Sequence, residues 1–138
     1  GYRALGFEPV SGLQLDPETT VRVGSDVSAA TAIARDGWVL VVDDHESPQG
    51  WLAVGDDATR ASHQITPPLL HRGGTVAGVN GTFRSVLDAA LSSPTGRGVI
   101  VDQAGRFAGT ITAASVVRLL EHQHPPAEHQ QSAEVTHP

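Results

Sequence analysis

The chain repeats itself. Gly37, Asp43 and Gly50 recur as Gly96, Asp102 and Gly109, each 59 positions later. In both copies the first Gly ends a run of small, helix-compatible residues. An apolar stretch follows: Val39-Leu40-Val41-Val42 in the first copy and Gly98-Val99-Ile100-Val101 in the second. Six residues separate Asp from the second Gly in each copy, so the copies align there without a gap. Two copies of one supersecondary unit bury their apolar faces against each other, commonly about a pseudo-twofold axis, and the cleft between them is a natural place for a ligand.

With 138 residues, the chain has room for one domain with a real core or two half-domains sharing one. Its 39% hydrophobic and 17% charged residues fit a globular chain. No apolar run approaches the roughly 20 residues that span a bilayer, so direct membrane insertion is not expected. Nothing at Gly1 resembles a secretory leader, which favours a cytoplasmic chain or a piece of a longer one. The absence of cysteine excludes disulfides, thiol nucleophiles and thiolate metal sites. A net charge of −6 argues against nucleic acid as a partner, because clustered cations supply most non-specific affinity for phosphate backbones. All nine basic residues are Arg, so the Lys-dependent P-loop is absent and nucleotide hydrolysis belongs to another segment or subunit.

Residues 1–19 read as a junction, with Leu13 and Leu15 alternating with polar neighbours. Repeat one spans 20–63: an extended piece at Val21–Val23, a helix from Ser25 or Asp26 to Arg35 with Val27, Ala30, Ile33 and Ala34 on one face, a strand Trp38–Val42, a returning strand Gly50–Val54, and a short helix from Asp56. Gln64–Gly74, with Pro67-Pro68 and Gly73-Gly74, has linker composition. Repeat two spans 75–123. It offers a strand at Thr75–Val79 and a Thr82-capped helix with the stripe Phe83, Val86, Leu87, Ala90 and Leu91. Strands at Gly98–Val101 and Phe107–Ile111 follow, then a Thr112-capped helix burying Val116, Val117, Leu119 and Leu120. Each half therefore reads strand, helix, strand, strand, helix, an α/β (α+β) fold. Residues 124–138, rich in Gln, His and Pro, read as a solvated disordered tail whose irregular histidine spacing does not suit a selective metal site.

The order of elements and two short motifs resemble the cystathionine-β-synthase (CBS) domain pair. The family pattern Gly-x-apolar-Thr-x-x-Asp is met partly by Gly109-Thr110-Ile111-Thr112-Ala113-Ala114-Ser115 and partly by Gly50-Trp51-Leu52-Ala53-Val54-Gly55-Asp56. The resemblance covers Thr20 to Gln123. Gly1-Tyr2-Arg3-Ala4-Leu5 ahead of the pair further resembles the C-terminal regulatory region of the ATP-binding subunit of glycine betaine/choline/proline-type ABC importers. That resemblance implies a non-catalytic sensor that homodimerises through its CBS repeats. It would act on an ABC ATPase domain and transporter permease at the inner face of the cell membrane. It also implies an adenine nucleotide as regulatory ligand, cyclic di-AMP among the candidates, and no required cofactor.

The motif chemistry can be stated on its own. A strand Gly lets a ligand approach the backbone, a Thr hydroxyl and free N–H groups at a helix start hold phosphate oxygens, and a carboxylate three residues on accepts ribose hydroxyls. Here the grip is split: Thr112 is followed by Ser115 in place of the carboxylate, while Asp56 follows Ala53 in place of the hydroxyl. Gly109, Thr112, Ser115, Asp56 and Arg118 are the candidate ligand-binding residues. Each has a plainer reading. Thr112 and Ser115 suit a helix cap, Asp56 an i, i+4 pair with Arg60, and Arg118, like Arg84 and Arg97, a solvated cation. Asp43-Asp44-His45-Glu46 reads as a turn, because catalysis needs groups that converge. Trp38 and Trp51 read as core and interface anchors. Two other functions stay open: ionic-strength sensing through the acidic tail, and dimerisation without a ligand.

Overall fold

A computed structural model of the chain describes residues 13–74 and 76–123. The readings of 1–12 and of the tail fall outside these residues. Repeat one is β1 (Thr20–Arg22), α1 (Val27–Ile33), β2 (Trp38–Val42), β3 (Pro48–Ala53) and the single-turn α2 (Asp57–Arg60). A 3₁₀ turn (Pro67–Leu69) leads to repeat two: β4 (Val76–Gly78), α3 (Phe83–Ser92), β5 (Arg97–Val101), β6 (Phe107–Thr112) and α4 (Ala113–Gln123). The three strands of each half form one sheet in sequence order, the first pair parallel and the second antiparallel. Each half thus runs strand, helix, strand, strand, helix, the α+β order that the sequence predicts.

Period-two alternation in the middle strands builds three apolar layers. Val39 and Val41 point to Ala30, Leu52 and Ile65 within repeat one, whereas Leu40 and Val42 meet Trp51 and Val99 between the two sheets. Ile100 instead joins Phe83, Val86, Ala89, Ile111 and Val116 inside repeat two. The middle layer is what makes the halves one body, and both Trp38 and Trp51 belong to it, as anchors should.

Each antiparallel pair shifts register at the same point, between Val41 and Val42 and between Ile100 and Val101, and then turns on an Asp. Asp43 Oδ1 accepts the N–H groups of His45 and Ser47 (2.8 and 2.9 Å), and Asp102 Oδ1 those of Ala104 and Arg106 (both 2.9 Å). These bonds favour the charged carboxylate. The Ser47 N–H, then that of His45, holds the Asp43 carboxyl below its ordinary pKa, and the Arg106 N–H, then that of Ala104, does so for Asp102. The acidic run at 43–46 is therefore a turn. The two turns also touch: Phe107 N–H donates to the Glu46 carbonyl (2.8 Å). The matching bond from repeat one would come from Pro48, which has no N–H, and Ser47 Oγ donates to the Gly105 carbonyl in its place (2.8 Å).

Glu46 sits at φ 62, where its counterpart Gly105 sits at φ 82. A left-handed residue with a Cβ costs about 1–2 kcal/mol, against roughly 0.5–1 kcal/mol of extra chain entropy for glycine. Glu46→Gly is thus expected to stabilise the chain by about 0.5 kcal/mol in urea denaturation. A destabilised variant would mean that the Glu46 side chain makes a compensating contact.

Several sequence expectations need correction. In the segment that joins the repeats, Ile65 is fully buried and Leu69 and Leu70 pack on the core of repeat one. β3 begins at Pro48, two residues before the expected strand. Asp26 stands at the start of α1 but makes no side-chain cap bond, whereas Thr82 caps α3 as expected, accepting from the Ser85 N–H at 3.1 Å. Ile33, Leu91 and Val117 are 37%, 65% and 40% exposed, outside the predicted buried faces. The cause in α3 is Gly98, where a Cβ would come within 2.8 Å of the Ala90 nitrogen. That close approach centres the buried face on Phe83, Val86, Ala89 and Ala90, and helical rotation of about 100° per residue carries Leu91 away from it.

Candidate nucleotide-binding site

Each repeat receives an extended segment from outside its own sheet. Asp16 exchanges two backbone hydrogen bonds with Thr110 in the middle of β6 (2.8 and 3.0 Å), and His71 does the same with Trp51 in β3 (2.7 and 2.9 Å). Thr110 and Trp51 are equivalent positions of the repeat. The glycine just before each makes the crossing close. A Cβ on Gly109 would lie 2.6 Å from Leu15 Cβ, and one on Gly50 would lie 3.0 Å from the His71 carbonyl oxygen. The bare backbone at Gly109 is thus used by the chain's own Leu15.

Alternation in this first segment sorts its side chains. Leu13 and Leu15 pack on the core of repeat two, while Gln14 and Asp16 line a cleft of about 460 Å³ together with Ile111, Ser115, Arg118, Leu119 and His122. Thr112, the last residue of β6, caps α4: its Oγ1 accepts the Ser115 N–H at 3.1 Å and donates to Ser115 Oγ at 3.0 Å. Ser115 Oγ also accepts from Arg118 at 3.2 Å. Helical i, i+3 spacing therefore brings Thr112, Ser115 and Arg118 into one chain of hydrogen bonds, with a serine hydroxyl and an exposed guanidinium at the cleft wall. Arg118 and His122 can meet an anion; Gln14, Asp16 and Ser115 can accept from hydroxyls or amines.

Asp56 lies elsewhere. It precedes α2 in repeat one without capping it, and its Oδ2 is 2.8 Å from His71 Nε2. His71 in turn packs edge-on against Trp38, ring centroids 5.1 Å apart. The pair with Arg60 expected at i, i+4 is replaced by this longer-range one. Ala53, where repeat two has Thr112, is buried.

The segment that brings Asp16 also delivers Glu18, whose side chain is wholly buried. Arg97 grips both oxygens, Nε at 2.8 Å and Nη2 at 3.1 Å, while Thr110 Oγ1 donates at 3.2 Å and Arg35 lies at 3.4 Å. Arg97 is 7% exposed and lies over the Trp51 ring at 5.1 Å, so it is a core cation and not the solvated one its position in the sequence suggested. Arg84 lies 3.9 Å from Asp88, one turn on. Sequence reasoning missed Gln14, Asp16, Glu18 and His71. The alternation at Leu13–Asp16 was the one local signal of an edge segment with a polar face.

No protein-family model matches the chain, and no curated relative matches it. Solved structures do. Staphylococcus aureus OpuCA is 18% identical over 79% of this chain and 95% of its own, with a TM-score of 0.60. A CBS domain pair/ACT domain protein from Thermotoga maritima is 12% identical over 84% of this chain and 98% of its own, with a TM-score of 0.66. The CBS domain of a bacterial CNNM/CorC family Mg²⁺ transporter is 15% identical over 86% of this chain and 78% of its own, with a TM-score of 0.58. At these identities the likeness is one of fold. Among the described residues no helix is long and apolar enough to cross a membrane.

Proposed function

We propose that this chain is a regulatory CBS module whose second-repeat cleft binds an adenine nucleotide, with AMP, ATP and cyclic di-AMP as the candidates. The observation that carries the reading is the joining of Ser115 and Arg118 at the wall of an open cleft that faces a separate crossing segment. Arg118 would meet phosphate, and Thr112 would keep Ser115 and the start of α4 in place. The module acts by population shift: a ligand that prefers one arrangement of the crossing segments biases whatever those segments join. The resemblance at the N-terminal end and the OpuCA likeness support an ABC ATPase of an osmoprotectant importer as the regulated partner, with the module at the inner membrane face.

The second reading is a dimerising module that binds nothing. Leu91 on α3 and Val117 on α4 leave apolar surface exposed on the helices of repeat two, which favours a second copy as partner.

Thermal shift with AMP, ATP and cyclic di-AMP tests the choice. A ligand at about 100 times its Kd adds roughly 2.7 kcal/mol to native stability, or several degrees. The expected result is a shift with at least one nucleotide that Arg118→Ala reduces at least tenfold in affinity. No shift with any of the three, in a chain that is dimeric by light scattering, would leave the dimerisation reading in place.

A further inference from the structure

The two repeats carry opposite chemistry at matching points. Asp16 and His71 are equivalent, because each forms the same two-bond bridge to equivalent residues, Thr110 and Trp51. Ser115 and Asp56 are equivalent too, 59 positions apart. In repeat one these two positions reach each other: the base on the crossing segment meets the carboxylate before the helix, His71 Nε2 to Asp56 Oδ2 at 2.8 Å. In repeat two the carboxylate has changed sides, standing on the crossing segment as Asp16 and facing a hydroxyl, Ser115, on the helix. Both line the cleft with Arg118. Among the described residues, no side-chain hydrogen bond or ion pair engages the Asp16 carboxylate, whereas Asp56 is taken by His71.

We propose that Asp16 supplies, from across the cleft, the hydroxyl-binding carboxylate that repeat two lacks at Ser115. It accepts the ribose hydroxyls of the nucleotide whose phosphate meets Arg118. This rests on the nucleotide reading above. A carboxylate accepts only, and has lone pairs enough for two neighbouring hydroxyls, which makes it selective for an intact ribose. Its position is held in advance. The backbone is bonded to Thr110 on both sides, Leu15 fills the space over Gly109, and Glu18 is gripped by Arg97 two residues on. A group fixed in this way loses little freedom when the ligand arrives.

Calorimetric titration of the full chain with AMP and with 2′-deoxy-AMP tests the assignment. The wild type is expected to prefer AMP by about tenfold or more, the size of one charge-assisted hydrogen bond. Asp16→Asn is expected to bind AMP at least tenfold more weakly and to lose the preference, Asp16→Glu to keep it, and Asp16→Asn with Ser115→Asp to regain it by returning the carboxylate to the helix side. Circular-dichroism melts of each variant separate loss of folding from loss of binding. If the wild type binds AMP and Asp16→Asn, folded, keeps both affinity and preference, the assignment fails while the nucleotide reading stands. If the folded wild type binds neither AMP nor 2′-deoxy-AMP, the assignment falls, and the nucleotide reading falls with it when ATP and cyclic di-AMP also fail to bind.

Discussion

Replacing Arg97 by Ala is expected to lower the stability of the chain by about 3 kcal/mol or more, the loss typical of stripping one partner from a buried ion pair. Glu18 has no exposed side-chain surface, and Arg97 supplies both short bonds to it. After the substitution, the Thr110 hydroxyl and the more distant Arg35, itself nearly half exposed, are left to neutralise a carboxylate that water does not reach. The Trp51 ring loses the guanidinium lying over it as well. In a domain of this size about 3 kcal/mol corresponds to a fall of more than 10 °C in Tm. Arg97→Lys should recover only part of the loss, since an ammonium cannot form the two-pronged grip. Glu18→Gln combined with Arg97→Met should be much less damaging than Arg97→Ala alone, because the buried charge is then gone. Urea denaturation of the three variants decides it. An Arg97→Ala chain within 1 kcal/mol of wild type would mean that water or another donor replaces Arg97 at Glu18.

That ion pair marks the boundary of what the sequence could reveal. The strands flanking each Asp turn and the cap at Thr82 were legible, because their signals are local: an apolar run, a turn carboxylate, a hydroxyl before a helix. The chain Thr112, Ser115 and Arg118 was legible for the same reason, being fixed by helical spacing. Glu18 and Arg97 are 79 residues apart, and neither has a neighbour that announces the other. The crossing of Asp16 onto β6 and of His71 onto β3 is equally non-local, and so the polar side of the cleft could not be assigned. Even the repeat conceals a difference. The copies match at an interval of 59 from Gly37 onward, but α3 is ten residues long against seven in α1, so the preceding elements follow a different interval. The misplacement of Leu91 has a third cause. Periodicity finds an apolar stripe, yet which edge of it is buried depends on Gly98, a residue of the opposing strand.

Gly109→Ala should show how the fold and the cleft depend on one crossing. At φ 155 the backbone is strained for any residue with a Cβ, and that Cβ would stand 2.6 Å from Leu15 Cβ and 3.1 Å from the Asp16 carbonyl oxygen. Neither neighbour can rotate away, since both are fixed to the backbone, so the segment and β6 must separate. Strain and overpacking together are expected to cost about 3 kcal/mol. Gly50→Ala, with a φ of 151 but a nearest approach of 3.0 Å, should cost roughly half as much by the same reasoning. The two variants should also part in function. Gly109→Ala moves Gln14 and Asp16 off the cleft wall and should weaken AMP binding by tenfold or more, along with loss of hydrogen-exchange protection at Asp16 and Thr110. Gly50→Ala presses on Leu70, His71 and Arg72, away from the repeat-two cleft, and should bind AMP as the wild type does. A second change isolates the cause. Leu15→Ala keeps the offending Cβ and should leave the Gly109→Ala penalty in place, whereas Leu15→Gly removes it and should shrink that penalty. Equal penalties in the two Leu15 backgrounds would show that the Leu15 contact adds nothing to the backbone strain and the approach of the Asp16 carbonyl, and Leu15 would then have no special hold on the cleft.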